Sequence, residues 1–346
     1  MARVSRLLSR LGPDGVVTAV MVVGVAVLVH AVGGQLHFDR ELLSPLVLLV
    51  ALLAITAAWR APLLLGRRPG DRRRYRELLA KTARTWTPFM LLYACYCVLH
   101  RLTGLIVAGG VEAELKALDE ALLGTSPAWW LERFITPWLT DVMAFGYGLM
   151  FGLPLAALVL LELRGRSQAF RELALAILVA FYAGFVLYLL VPARSPRLVY
   201  GFATELEGAI GLYESWTLAW DRLQQTSYDA FPSLHTTIST IALVAAWRHG
   251  SALSPRWPWL WVAAFLPAVV LLQLATLYLR QHYFVDLVAG WLLAGFALWL
   301  APRIIGWWER AAAAGATFAP PAEARLAGRP QLPAGQARAG CSTQSN

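Results

Sequence analysis

Eight stretches of this 346-residue chain are apolar over lengths that can cross a bilayer, and no other feature constrains its fold as much. They fall near residues 16–32, 42–65, 86–107, 138–161, 173–191, 231–247, 257–274 and 283–304. A hydrocarbon core about 30 Å thick takes about 20 helical residues, and a helix satisfies its own backbone groups where no water can. The chain is 58% hydrophobic, more than a soluble domain of this length can hide. The expected fold class is an all-α integral membrane protein of about eight transmembrane helices. The stretch at 231–247 has the shortest apolar part, 236–247, and reaches a spanning length only when extended back through the Phe231 string.

Placing the N-terminus in the cytoplasm puts most of the 30 Lys and Arg on the inner side, led by Arg67, Arg68, Arg72, Arg73, Arg74 and Arg76. Acidic residues collect on the outer side, so the formal charge of +9 is a topology signal and not a nucleic-acid footprint. Both termini are then expected inside, in a bacterial-type cytoplasmic membrane. Many of the 15 tryptophans support this layout, with Trp59, Trp86, Trp247, Trp257, Trp307 and Trp308 at inner boundaries and Trp129, Trp130 and Trp138 at an outer one. The first span, after Arg3, Arg6 and Arg10, lacks a small-residue cleavage site and is read as a retained helix. Cys95, Cys97 and Cys341 have neither disulfide nor metal spacing.

The chain divides into N-terminal transmembrane helices with a basic loop (1–110), a membrane core (111–310) and a tail turning to Ala, Gly, Pro and Gln (311–346), which is expected to be disordered. The basic loop is expected to be helical over 72–83. Residues 111–124 carry Val111, Leu115, Leu118 and Leu122 at helical spacing with Glu112, Glu114, Asp119 and Glu120 between them, which predicts a short amphipathic helix on the outer surface. The outer loop 192–230 mixes Tyr200, Tyr213, Trp216 and Trp220 with Glu205, Glu207, Glu214 and Asp221. Its aromatic content predicts an ordered cover over a site.

Three strings carry chemistry, and the topology puts all three at the outer face. In Tyr278-Leu-Arg-Gln-His-Tyr-Phe-Val-Asp286, His282 and Asp286 stand at i and i+4 and share a helix face. The carboxylate can take the proton of one ring nitrogen and leave the other as an oriented lone pair, fit for a nucleophile or a base. In Phe231-Pro-Ser-Leu-His235, Ser233 suits a helix cap, and the helix end favours a bound phosphate. His235 falls in the first turn, where the helix dipole makes its proton easier to give up. In Pro192-Ala-Arg-Ser-Pro-Arg197, Arg194 and Arg197 offer guanidinium groups that match phosphate oxygens, and Arg280 adds a third. Phosphoryl transfer is one reading. A metal site on His235, His282 and Asp286 and a proton relay in a transporter are the others.

The strings resemble the three signature motifs of the type 2 phosphatidic acid phosphatase superfamily, commonly Lys-x6-Arg-Pro, Pro-Ser-Gly-His and Ser-Arg-x5-His-x3-Asp. Leu234 stands for the usual Gly, Ala275 and Thr276 stand for Ser-Arg, and the Pro192 string replaces the first motif. These departures resemble the branch containing inositol phosphorylceramide synthase, with its Phe-Pro-Ser-Leu-His and a string matched by Thr276, Tyr278, Leu279, His282, Tyr283 and Asp286. The resemblance spans about residues 119–295. It implies a helical-bundle phosphatase core formed by the later helices. It also implies a phosphohistidine on His282 oriented by Asp286, proton transfer by His235, and a phosphate held by Ser233 with Arg194, Arg197 and Arg280. It implies no cofactor and no metal. The partners it implies are a lipid-phosphate substrate and membrane lipids, with no nucleic acid.

Overall fold

The computed structural model describes residues 2–33, 71–223 and 227–317, with isolated residues between 46 and 58; most of the expected span at 42–65 and the tail beyond 317 lie outside the described residues. The described residues are helical and contain no strand, in an all-α integral membrane protein. The long helices are α1 (Ala2–Ala31), α2 (Asp71–Ile106), α3 (Glu112–Leu123), α4 (Pro137–Leu163), α5 (Ser167–Leu190), α6 (Leu212–Leu223), α7 (Leu234–Leu253), α8 (Trp259–Tyr278) and α9 (Phe284–Thr317). Single turns occur at Pro127–Trp130, Leu131–Phe134 and Pro196–Val199.

Among the described residues, six helices are long and apolar enough to cross a membrane: α1 from Gly12, α2, α4, α5, α8 and α9. Helix α7 falls below that hydropathy, as the shortness of its apolar stretch foreshadows, yet its first turns are fully buried. The helical part of the basic loop is not a separate element, because α2 runs unbroken from Asp71 through Pro88 into the span. Trp130, Trp138, Trp257 and Trp259 are exposed at or next to helix ends, where an indole prefers the interface.

Helix α5 is the centre of the bundle and is buried on nearly every side between Leu173 and Phe185. Without a hydrophobic driving force between helices in lipid, close approach depends on small residues. A Cβ on Gly184 would stand 2.6 Å from the Leu234 side chain, and one on Gly290 would stand 2.7 Å from the Ser233 carbonyl oxygen. These two contacts seat the start of α7 against α5 and α9. In the last turns of α8, Gln273 donates to Ser239 and Thr240 of α7 and accepts from Trp291 of α9, so this polar side chain is fully engaged between helices.

Helix α3 is present, and the face it buries against the protein mixes acidic and apolar residues. Leu118 and Leu122 are exposed, whereas Glu112 and Asp119 are buried against the rest of the protein together with Leu115. The loop 192–230 carries two helical elements, Pro196–Val199 and α6, over its described residues. Asp141 of α4 accepts the backbone N–H groups of Ile210 and Tyr213 at 2.8 and 2.9 Å and so anchors α6. Trp129 stacks on Phe202 with ring centres 4.9 Å apart.

Candidate active site

Helix α8 ends in a turn that delivers the second histidine string. The Gln281 N–H donates to the Thr276 carbonyl and the Arg280 N–H to the Leu277 carbonyl, a Schellman pair in which Arg280 takes the left-handed conformation at φ 59°. Glycine is the usual occupant of that position, and arginine there is strained. The strain is offset by what the turn secures. The Arg280 side chain donates to the Thr204 carbonyl at 2.7 Å, lies 3.3 Å from Glu132, and stacks 3.9 Å above the Phe202 ring. Burial pulls its guanidinium below the ordinary value, against the opposing pull of Glu132. Its charge is thus committed to the loop.

Helix α9 then begins with half of a capping box. Asp286, at the third helical position, reaches back to accept the Tyr283 N–H at 2.8 Å. The next two N–H groups, of Phe284 and Val285, donate to Asp119 of α3 at 2.9 and 3.0 Å. Burial raises the Asp119 carboxyl above its ordinary value, while those two N–H groups act the other way. The distant acid Asp119 therefore fixes the helix end that carries Asp286. Asp119→Ala is expected to lower stability by about 1–3 kcal/mol, the cost of leaving buried donors unmade. Asn keeps one acceptor oxygen and should recover part of the loss. An unchanged thermal transition of the alanine variant in detergent would remove Asp119 from this role.

His282 is buried between these anchors. Its Nδ1 lies 2.8 Å from the Ala230 carbonyl oxygen and 3.3 Å from Asp286 Oδ2. A carbonyl oxygen can only accept, so Nδ1 carries the proton and Nε2 is left as a lone pair. That Nε2 is 3.4 Å from His235 Nδ1. His235 sits in the first turn of α7, and its ring stacks on Tyr147 at 4.2 Å. Ser233 caps α7 by accepting the Thr236 N–H at 3.3 Å, and its own N–H donates to the Asp286 carbonyl at 3.0 Å. Two helix N-termini thus meet at the histidine pair.

The Pro192 string joins from the third side. Ala193 accepts the Ala230 N–H, and the Arg197 N–H donates to the Arg280 carbonyl. Arg194 is held by Glu112 of α3, with Nε 2.8 Å from the carboxylate. Burial alone would raise Glu112, but the bonds from Arg194 outweigh it and hold the carboxyl below its ordinary value. Arg197 borders a small pocket with Tyr147 and Gln281, which places it next to the ring stacked on His235. Of the three arginines read from the sequence, Arg194 and Arg280 pair with carboxylates, and Arg197 borders the pocket that also takes in Tyr147.

Sequence reasoning missed four residues here. Ser195 Oγ is buried, has no hydrogen-bond partner among the described residues, and lines the same cavity as His235 and His282. Asp229 and Gln281 line that cavity too, and Asp119 braces it from outside. The cavity has a volume of about 470 Å³ and runs from the histidines into the bundle between α2, α4, α5 and α7. Among the described residues, no three His, Cys, Asp or Glu side chains are grouped so as to hold a metal ion.

Comparison with known proteins gives no match among curated proteins or solved structures. One family model, described as the PAP2 superfamily, matches residues 113–300, which takes in all three strings and the helices that carry them. With more than half of its length matched and a buried histidine pair at the junction of those strings, the chain belongs to the PAP2 superfamily.

Proposed function

We propose that this protein transfers a phosphoryl group from a lipid-linked phosphate through a phosphohistidine on His282. Membership of the PAP2 superfamily supports a phosphatase-type enzyme. The observation that carries the reading is the His282 ring, with its Nδ1 proton held by Ala230 and Asp286 and its Nε2 lone pair turned to His235. In the first step Nε2 attacks phosphorus, the bond from phosphorus to the lipid oxygen breaks, and His235 gives that oxygen a proton. In the second, His235 takes a proton from an incoming hydroxyl, whose oxygen displaces His282 from phosphorus.

At 3.4 Å the two imidazole nitrogens leave no room for a phosphoryl group between them, so substrate enters beside the pair and turns His235 out of contact. Asp119 and Asp286 occupy the first donors of α9, which makes the N-terminus of α7, with Ser233, the anion-binding end. Ser195, which lines the cavity of the histidines, adds to the phosphate site, and the arginines of the two strings, Arg194, Arg197 and Arg280, would join it by exchanging their present contacts, Glu112 for Arg194 and Glu132 for Arg280. The positive-inside rule supports an extracytoplasmic site. The Leu234 and Thr276 departures, which resemble inositolphosphotransferases, favour an alcohol over water as the acceptor.

Purified protein given phosphatidic acid or an isoprenoid phosphate, with and without inositol or glycerol, is expected to release phosphate or to pass it to the alcohol. Acid-labile phosphoryl label should accumulate on the peptide holding His282. The absence of release and transfer with every donor would overturn the proposal.

A further inference from the structure

The cavity below the histidines is far larger than a phosphate needs, and its walls change character with depth. Tyr96, Tyr147 and Tyr188 stand near the histidine end, whereas Trp86, Leu158 and Ile177 close the far end. From Tyr147 to Leu158 along α4, and from Tyr188 to Ile177 along α5, the cavity follows about 16 Å of helix. That is about half of a ~30 Å hydrocarbon core, or one leaflet. On the α4 edge Phe151 and Leu155 line it and are 53% and 48% exposed, so the cavity is open at its side. Helix α2, which supplies Trp86, Phe89, Leu92, Tyr93 and Tyr96, lies outside the matched segment 113–300.

We infer that this cavity binds one extended hydrocarbon chain of the substrate, with α2 as the wall that gauges its length. The inference rests on the phosphoryl-transfer reading of the histidine pair, which fixes the phosphate end of the ligand. An apolar chain entering past Phe151 and Leu155 would exchange lipid for protein contacts while keeping its headgroup at Nε2 of His282. A volume of about 470 Å³ is in the range of sites that enclose a small ligand. A ligand confined to the headgroup would leave that apolar space unfilled. Leu92, buried midway along α2, stands at half depth.

The test uses dodecyl phosphate bearing a diazirine on its terminal carbon, with the full-length protein in phosphatidylcholine vesicles. Label is expected within residues 86–96 and 150–158, and excess unlabelled dodecyl phosphate should suppress it. Label spread over exposed residues such as Val270 and Leu274 of α8, or label insensitive to competition, would overturn the tail site. Cavity labelling without turnover of any lipid phosphate would uphold the tail site and sink the catalytic reading instead. Turnover with labelling elsewhere would do the reverse. In a second arm, Leu92→Trp should raise KM for dodecyl phosphate by about tenfold relative to butyl phosphate, the effect of losing about two buried methylenes. An equal change for both esters would remove α2 from chain selection.

Discussion

His282→Ala is expected to abolish turnover, lowering kcat by about 10⁴-fold or more, as losing a nucleophile does. The acid-labile label should vanish with it. His235→Ala should cost about 10²–10⁴-fold, the usual worth of a general acid and base, and that variant should still become labelled when the leaving group is a good one. Asp286→Asn should be milder than either. The Ala230 carbonyl, at 2.8 Å, holds the Nδ1 proton more closely than Asp286 does at 3.3 Å, so the imidazole stays oriented and loses mainly a nearby charge. A loss as great for Asp286→Asn as for His282→Ala would mean that the carboxylate alone sets the ring. Undiminished turnover in His282→Ala would end the phosphohistidine assignment.

The second large effect is expected from a methyl group. A Cβ on Gly290 meets the Ser233 carbonyl oxygen at 2.7 Å and Thr236 at 3.0 Å, and backbone cannot swing aside as a flexible side chain can. Gly290→Ala must therefore move the start of α7 from α9, stretching the bond from Ser233 N–H to the Asp286 carbonyl and shifting His235 against His282. Misplacing reacting groups by about 1 Å can cost 10²-fold, and kcat should fall by about that much. Overpacking should cost about 1–3 kcal/mol of stability as well. Gly295→Ala, on the same helix with open space at its Cβ, is the control and should leave both unchanged. Equal behaviour of the two variants would show that the α7–α9 contact does not set the histidine spacing.

What the sequence made legible follows from periodicity and local spacing. The spans are visible because a bilayer imposes one length and one composition. The His282–Asp286 pair is visible because i and i+4 meet on any helix. Asp119 was hidden for the converse reason. It bonds backbone groups 165 positions away, and an acid on an amphipathic helix ordinarily faces water. Glu112 and Arg194 are separated by 82 positions, so the pairing that occupies one expected phosphate ligand has no local signature. Arg280 gave no sign either, since a helix-ending turn is normally announced by glycine. The continuity of α2 was masked by charge: residues 72–84 are basic, but nothing before Pro88 breaks a helix.

The polarity of α7 has a consequence for how the protein is made. Thr237, Ser239 and Thr240 bind the histidine-bearing helix to its neighbours, through Gly290 on one side and Gln273 on another. Together with His235, Arg248 and His249, those residues keep α7 below the hydropathy that would carry a segment into the bilayer unaided. Its entry should therefore be a joint event, with α8 following as the other half of a hairpin and α4 and α5 already in place to receive it. Transplanted alone into an insertion reporter, the segment 234–253 should be passed over, and it should be retained when α8 follows. The groups that make this helix useful are thus the ones that make it dependent on the order of biogenesis.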